Sequence, residues 1–292
     1  MNYGECYQNG VRLLQEAGVL EAKLDARLLL EYVCGTDCNA LLVHGDEPVE
    51  AEKQEKYVAL LTKRCERIPL QQLTGEQEFC GLSFLVNEHV LIPRQDTEIL
   101  VEEAVRHLRD GMELLDMCTG SGCILISLLA MKDGVRGTGV DISKEAISVA
   151  VENGRRILPV ENQPKWLMGD LFAPLVGNGR QYDMIVSNPP YIKSDVIESL
   201  MPEVRDHEPR GALDGREDGL FFYRRIIDES RVYLKEGGWL LFEIGADQGE
   251  AVKGLMADAG FSDLKIRKDY AGLDRVVMGC LRTVSSGMCA EA

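Results

Sequence analysis

Two short segments of the chain carry residue types that can do chemistry together. The first is Ser187-Asn188-Pro189-Pro190-Tyr191, which follows the apolar run Met184-Ile185-Val186 and so sits at the end of an expected strand. Proline fixes φ and lacks an N–H, so Pro189 and Pro190 make a rigid backbone whose carbonyls are free to accept. A planar –NH2 group has two N–H donors, and the Asn188 side-chain oxygen and the Pro189 carbonyl can take one each. Held that way, the nitrogen presents its lone pair to an incoming electrophile, and positive charge growing on it is stabilised. Tyr191 offers a ring face for stacking on a planar amide or base.

The second segment is Leu114-Leu115-Asp116-Met117-Cys118-Thr119-Gly120-Ser121-Gly122, a strand running into a glycine turn and then a helix. Such a turn brings backbone N–H groups close to a ligand, and a Cβ at the glycines would block the approach. Asp141 ends the next strand, 19 residues after Gly122, where a carboxylate can accept both hydroxyls of a ribose. A dinucleotide site favours Gly-x-Gly-x-x-Gly. Thr119-Gly120-Ser121-Gly122 with Asp116 ahead of it suits a cationic sulfonium better than a pyrophosphate. The chemistry implied is methyl transfer from a sulfonium to a planar nitrogen.

Elements that could position these segments are legible along the chain. Apolar residues recur at three- and four-residue spacing from Val19 to Leu30, with Gly35 as a stop, and again from Ala51 to Arg67 before Pro69. Residues 1–75 therefore read as a helical domain. Glu78 to Leu91 switches towards alternation, predicting a β-hairpin with its turn at Asn87-Glu88; residues 76–92 are read as a linker. Asp96-Thr97 can cap a helix that places Leu100, Val101, Ala104, Val105 and Leu108 on one face. Strands are expected at Glu113–Met117, Gly137–Val140, Tyr182–Ser187 and Trp239–Ile244. Helices are expected at Cys123–Met131, Lys144–Leu158 and Leu220–Leu234. That alternation implies an α/β fold with a mostly parallel sheet covered on both faces, and Leu264–Arg267 with Arg275–Leu281 adds an antiparallel pair. A domain spanning 93–283 and a flexible tail over 284–292 complete the division.

Composition narrows the partners. The formal net charge is −16, from 48 acidic and 32 basic residues; residues 1–75 hold 12 and 8 of these, leaving −12 for the rest. Neither part is basic, which argues against nucleic acid as the main partner, because duplex affinity rests largely on Lys/Arg neutralising phosphates. The nine cysteines are scattered without zinc-ligand spacing, and His44, His89, His107 and His207 share none either, so no metal is expected. Thiols used as small buried hydrophobes and the absence of an 18-residue apolar run favour a cytoplasmic protein with no membrane partner. A monomer is the expected state.

Longer stretches resemble the release-factor glutamine methyltransferases, which modify the glutamine of the Gly-Gly-Gln motif in peptide-chain release factors. They are Ile92 to Glu98, Asn188 to Ile192, Glu208-Pro209 with Ala212-Leu213, Gly219 to Tyr223, Glu243 to Gly245 with Asp247 to Gly249, and Asp269 to Val276. The Asn-Pro-Pro-Tyr element alone is shared with adenine-N6 DNA methyltransferases. The Ile92 to Glu98 stretch and the helical domain are more particular to the glutamine enzymes. The resemblance implies a Rossmann-like class I methyltransferase sheet and S-adenosylmethionine as cofactor, with release factors as protein partners. It implies that Cys118, Thr119, Gly120, Ser121, Gly122 and Asp141 hold the cofactor, and that Asp170 and Leu171 flank its adenine. Asn188, Pro189, Pro190 and Tyr191 would hold the glutamine, with Asn188 touching the cofactor as well. Three positions depart from the family pattern: Cys118 replaces a glycine, Gln95 a proline, and Leu171 a tryptophan found in some relatives. Cys118 fits if its φ is negative. Arg94, Glu98 and Glu243 are left open between structural roles and roles at the site.

Overall fold

The computed structural model describes residues 1–177 and 179–282; the expected tail over 284–292 lies outside them. The described chain divides into two compact units, one formed by 1–76 with 200–208, the other by 77–199 with the residues from 209 on.

The first unit is helical. It holds α1 (Tyr3–Glu16), α2 (Ala22–Cys34), α3 (Cys38–Val43), α4 (Ala51–Cys65) and α5 (Leu70–Thr74). Asn2 and Glu5 form a reciprocal cap at the start of α1, satisfying two N–H groups that a helix end leaves without intrahelical partners. Gly35 ends α2 at φ +65°, as its position suggested. Pro69 opens α5 rather than only closing α4. Leu14, Leu29, Leu30, Tyr57 and Leu61 are buried together.

The second unit begins with β1 (Glu76–Phe79) and β2 (Leu82–Leu85), followed by α6 (Glu98–His107), β3 (Glu113–Met117), α7 (Cys123–Met131), β4 (Arg136–Asp141), α8 (Lys144–Ile157), β5 (Lys165–Met168) and β6 (Tyr182–Ser187). The next helix, α9 (Pro202–His207), returns to the helical unit. The sequence reading kept that segment within 93–283. The second unit resumes with α10 (Arg210–Leu213), α11 (Phe221–Tyr233), β7 (Leu234–Glu243), α12 (Gly249–Asp258), β8 (Phe261–Lys268) and β9 (Asp274–Leu281).

Seven strands form one sheet in the order β5-β4-β3-β6-β7-β9-β8. Its pairings are parallel except those of β9, which runs antiparallel to β7 and β8. Helices α6 and α7 cover one face over a core with Leu114, Met184 and Leu241. Helix α11 covers the other, over Leu115, Ile185, Leu240 and Phe242. Strands buried on both sides read as continuous apolar runs, which is why these were visible in the sequence. Among the described residues no helix is long and apolar enough to cross a membrane.

Two expectations about connections are corrected. The hairpin turns at Cys80-Gly81, not at Asn87-Glu88: both residues have positive φ, +51° and +73°, as a two-residue hairpin turn with matching twist requires. The Glu98 carboxylate accepts the Cys80 N–H at 2.8 Å and holds a cysteine in that conformation. Asp96 and Thr97 do not cap α6 with their side chains; Asp96 pairs instead with Arg275 at 3.2 Å.

Candidate active site

Strand β3 lies between β4 and β6, so chain direction diverges on its two sides. In open α/β sheets the crevice at the carboxyl ends of such strands is where ligands bind. Met117 of β3 pairs with Ser187 of β6, and the Ser187 hydroxyl donates to the Met117 carbonyl at 2.7 Å. That pairing sets Cys118 and Asn188, distant in sequence, beside one another at the sheet edge. A cavity of about 290 Å³ opens there.

The turn on its floor is held from within. Thr119 N–H donates to the Val140 carbonyl at 3.0 Å and Gly122 N–H to the Thr119 carbonyl at 2.8 Å. Gly120 N–H donates to Asp141 Oδ2 at 2.8 Å. The sequence reading offered these N–H groups to a ligand, but the three are taken, so what the turn supplies is shape. Gly122 has φ +79°, and a Cβ there would come within 2.9 Å of Trp166. Trp166 was not singled out in the sequence, and only strand order brings β5 over the turn. Asn153, fully buried, braces the turn from behind by donating to the carbonyls of Ser121 and Leu85 at 3.0 Å.

Cys118 has φ +62°, contrary to the negative φ expected of it. The backbone at this strand end demands the left-handed region, which glycine adopts freely, so cysteine here carries a conformational cost. Burial, with Asp141 and Asp116 adding to it, pushes the Cys118 thiol far above the usual thiol range.

The four turn residues Cys118 to Ser121 line the cavity together with Asp141, Asp170, Leu171, Asn188 and Pro190; Gly122 does not. Each Asp141 oxygen accepts one backbone N–H, from Gly120 and from Ser143 at 2.9 Å. A carboxylate has about four acceptor sites, so capacity for a diol remains. Burial raises the Asp141 pKa against those hydrogen bonds. Asp170 is clamped by Arg225 through two bonds of 3.0 and 3.1 Å. Asp116 does not line the cavity. It is fully buried under the turn, bonded to the Thr119 hydroxyl, and burial lifts its pKa to about 7. Its expected place near a sulfonium is therefore not supported.

In the Asn-Pro-Pro-Tyr segment, Asn188 and Pro190 face the cavity. Tyr191 does not offer a free stacking face, because its ring packs against the core under α11 and its hydroxyl donates to Glu243 Oε1 at 3.4 Å. Gln248 braces the segment, donating to the Tyr191 carbonyl at 3.0 Å. Asn188 Nδ2 donates to Thr97 Oγ1 at 3.4 Å. Glu243 is 2% exposed and its Oε2 has no well-formed partner. Burial lifts its pKa to about 7, opposed by hydrogen bonding from Thr97 and by Arg275. Arg94 lines the cavity, whereas Glu98 turns away to Cys80. The lining also includes Thr97, Pro209, Ala212 and Phe222; their signal in the sequence was membership of the longer resembling stretches, which gave them no roles.

The PrmC N-terminal domain family matches residues 5–75, and the methyltransferase small domain family matches residues 95–203. The chain is 43% identical over 270 residues to a release factor glutamine methyltransferase of Geobacter sulfurreducens, covering 91% of this chain and 92% of that protein. It is 40% identical over 256 residues to that of Clostridium acetobutylicum, covering 87% and 90%. A methyltransferase structure from Pyrococcus furiosus superposes with a TM-score of 0.51 at 16% identity, over 80% of this chain and 100% of that one, a likeness of fold. The chain belongs to the release factor glutamine methyltransferase family.

Proposed function

We propose that the protein transfers a methyl group from S-adenosylmethionine to the side-chain amide nitrogen of a release-factor glutamine, specifically that of the Gly-Gly-Gln motif. The observation that carries this reading is that one cavity is lined by both the Cys118–Ser121 turn with Asp141 and the Asn188/Pro190 segment. The donor set fits the cofactor. Asp141 has acceptor capacity for a ribose, Leu171 is an apolar neighbour for adenine, and a turn in which the Thr119, Gly120 and Gly122 N–H groups are already bonded suits a cation better than a phosphate. Residues Cys118 to Gly122, Asp141, Asp170 and Leu171 would hold it, with Gly122 contributing the shape of the turn rather than lining the cavity. When bound, S-adenosylmethionine supplies an electrophilic methyl group on positively charged sulfur.

The chain's own residues do the rest. An amide nitrogen is a weak nucleophile because its lone pair is delocalised into the carbonyl. Asn188 Oδ1 and the Pro189 carbonyl accept the two N–H groups, fix the nitrogen in place and favour the charge that develops on it. Pro190 keeps the segment rigid. The raised pKa of Cys118 keeps its thiol protonated, so it does not compete for the methyl group. The helical unit is assigned to recognising the release factor, and the reaction to the cytoplasm, where it tunes translation termination.

Mass spectrometry of release factor incubated with the protein and S-adenosylmethionine tests this directly. One added methyl on the Gly-Gly-Gln glutamine is expected. Methylation of adenine in DNA, with release factor untouched, would overturn it.

A further inference from the structure

The stretch Glu243 to Gly245 with Asp247 to Gly249 resembles the family pattern, yet the proposed reaction gives Gln248 no part. Gln248 is 6% exposed and does not line the cavity. Its carboxamide is nonetheless held at both ends. Nε2 donates to the Tyr191 carbonyl at 3.0 Å and to the Gly219 carbonyl at 3.3 Å. Oε1 accepts the Gly245 N–H at 2.9 Å. A carboxamide has two N–H donors and one accepting oxygen. Reversing this one would set its oxygen against two carbonyls and its –NH2 against an N–H, so the surroundings admit one orientation. Glycine is what lets the second carbonyl come so near. Gly219 has φ +74°, and a Cβ there would lie 2.5 Å from the Tyr191 oxygen and 2.7 Å from Gln248 Nε2.

We infer that Gln248 is a positioning residue: by holding the Tyr191 carbonyl it sets, through the two prolines, where the Pro189 carbonyl meets the substrate amide. Pro189 and Pro190 have no N–H groups, so no main-chain bond can anchor them from their nitrogens. Upstream, the chain is fixed at Ser187 by its pairing with Met117 and by its hydroxyl bond. Downstream, it is fixed by Gln248 at the Tyr191 carbonyl and then at Ile192. The Ile192 N–H donates to the Leu213 carbonyl at 2.9 Å, and its carbonyl accepts the Gly215 N–H at 2.8 Å. The Pro189 carbonyl lies two residues before the Gln248 anchor. Pro190 has its φ locked, which leaves few torsions to absorb a displaced Tyr191 carbonyl. A misplacement of about 1 Å is enough to cost about 10²-fold in rate at a reacting centre. Gln248 reaches this place because it lies in the short connection from β7 to α12, and β7 pairs with β6. This inference rests on the proposed role of the Pro189 carbonyl in accepting a substrate N–H.

Gln248→Met keeps the length of the side chain and removes both donors. Gln248→Glu keeps its shape, and a carboxylate can only accept. Each should lower kcat on release factor by about 10- to 100-fold, with the dissociation constant for S-adenosylmethionine unchanged by calorimetry. Urea unfolding shows which variant is folded under assay conditions, and the apolar one decides if the charged one is not. Adding Asn188→Ala to Gln248→Met should cost little beyond the larger single loss, because both act on one substrate nitrogen as a unit. A merely structural role for Gln248 would multiply the two losses. The clamp can also be read without substrate, since the 13C resonance of the Tyr191 carbonyl should move when its donor is removed. Normal kcat in folded Gln248→Met, or losses that multiply in the double variant, would overturn the inference. With kcat normal, a resonance that moves puts the fault in the role given to Pro189, and one that stays puts it in the clamp. Parent protein that leaves release factor unmethylated would defeat the proposed function, and this inference with it, even where the resonance moves.

Discussion

In the helical unit Glu203 lies between Arg64 and Arg67; in the sheet unit Glu243 lies beneath Tyr191. Both carboxylates are buried, at 7% and 2% exposure. Glu203 receives Arg64 at 2.9 Å and Arg67 at 2.7 and 2.6 Å, and Arg64 is held in turn by Asp25 at 2.8 Å. Burial pushes its pKa up, yet the hydrogen bonds from Arg67 and Arg64 outweigh that and hold it at about 2. Glu243 has no guanidinium bonded to it and retains an oxygen without a well-formed partner. Arg275 is nearby, but its contacts go to Asp96, Asp269 and the Ile244 carbonyl. Burial wins there, and the pKa rises to about 7. A paired buried charge fastens structure, whereas an incompletely satisfied one beside a cavity is a cost that folding alone does not require. The first network ties α9 into the helical unit; the second stands behind the residue assigned to the substrate.

The hardest blow to this contrast should fall on the paired side. Glu203→Ala leaves Arg64 and Arg67 without their carboxylate, and breaking a buried pair costs about 3–5 kcal/mol. Urea unfolding should show that loss, and a change under about 1 kcal/mol would mean the pair is not structural. The same pairing makes deletion of the helical domain a poor test of substrate recognition, because the deletion would strip Glu203 of both arginines.

On the other side, Asn188→Ala should lower turnover by about 10²–10³-fold, the scale of losing one preorganised hydrogen-bond partner. Cofactor binding by calorimetry and the urea midpoint should change little. Near-normal methyl transfer in a radiolabel assay would remove Asn188 from the chemistry.

The two carboxylates should also titrate with opposite signs. The folded value of Glu203, about 2, lies below its ordinary 4.5, so its contribution is present above pH 4.5 and is lost as pH falls towards 2. The folded value of Glu243, about 7, lies above 4.5, so its contribution is full below pH 4.5 and is lost as pH rises through 7. Asp116 behaves like Glu243, rising from 3.8 to about 7. Stability should therefore decline from pH 5 to 8 through these two groups. Glu243→Gln should flatten part of that decline and leave the limb below pH 4.5 intact, as followed by thermal unfolding across pH. An unchanged slope between pH 5 and 8 would show that Glu243 is already ionised at pH 5.

Much of this was legible in the sequence where the signal is local. The Gly-rich turn, Asp141 and Asn188 each sit at a strand end that an apolar run announces, and parallel pairing carries them to one edge. Glu243 had that signal, as the end of the apolar run of β7, but its role was left open, and Thr97 was read only as a helix cap. They meet Asn188 only because β7 pairs with β6 and the segment before α6 crosses the same edge, and contacts of that range leave no periodicity to read. The hairpin turn at Cys80-Gly81 was missed because cysteine is not a turn former; the turn depends on Glu98, 18 residues away. The return of 200–208 to the helical unit was hidden for the same reason, since Glu203 finds its arginines more than 130 residues upstream.

The smallest effect concerns the cavity floor itself. Cys118 sits at φ +62°, where an L-residue pays about 1–2 kcal/mol that glycine avoids. Glycine gives back part of that through its freer unfolded chain, about 0.5–1 kcal/mol, and the thiol's contact with the core under α11 is forfeited. Cys118→Gly should therefore raise stability by less than about 1 kcal/mol in urea, with S-adenosylmethionine affinity nearly unchanged. A clear loss of stability would show that the packing of the thiol, rather than the backbone, decides this position. In that case the departure from glycine is a compensated one, with the neighbours of Cys118 having adjusted to the side chain.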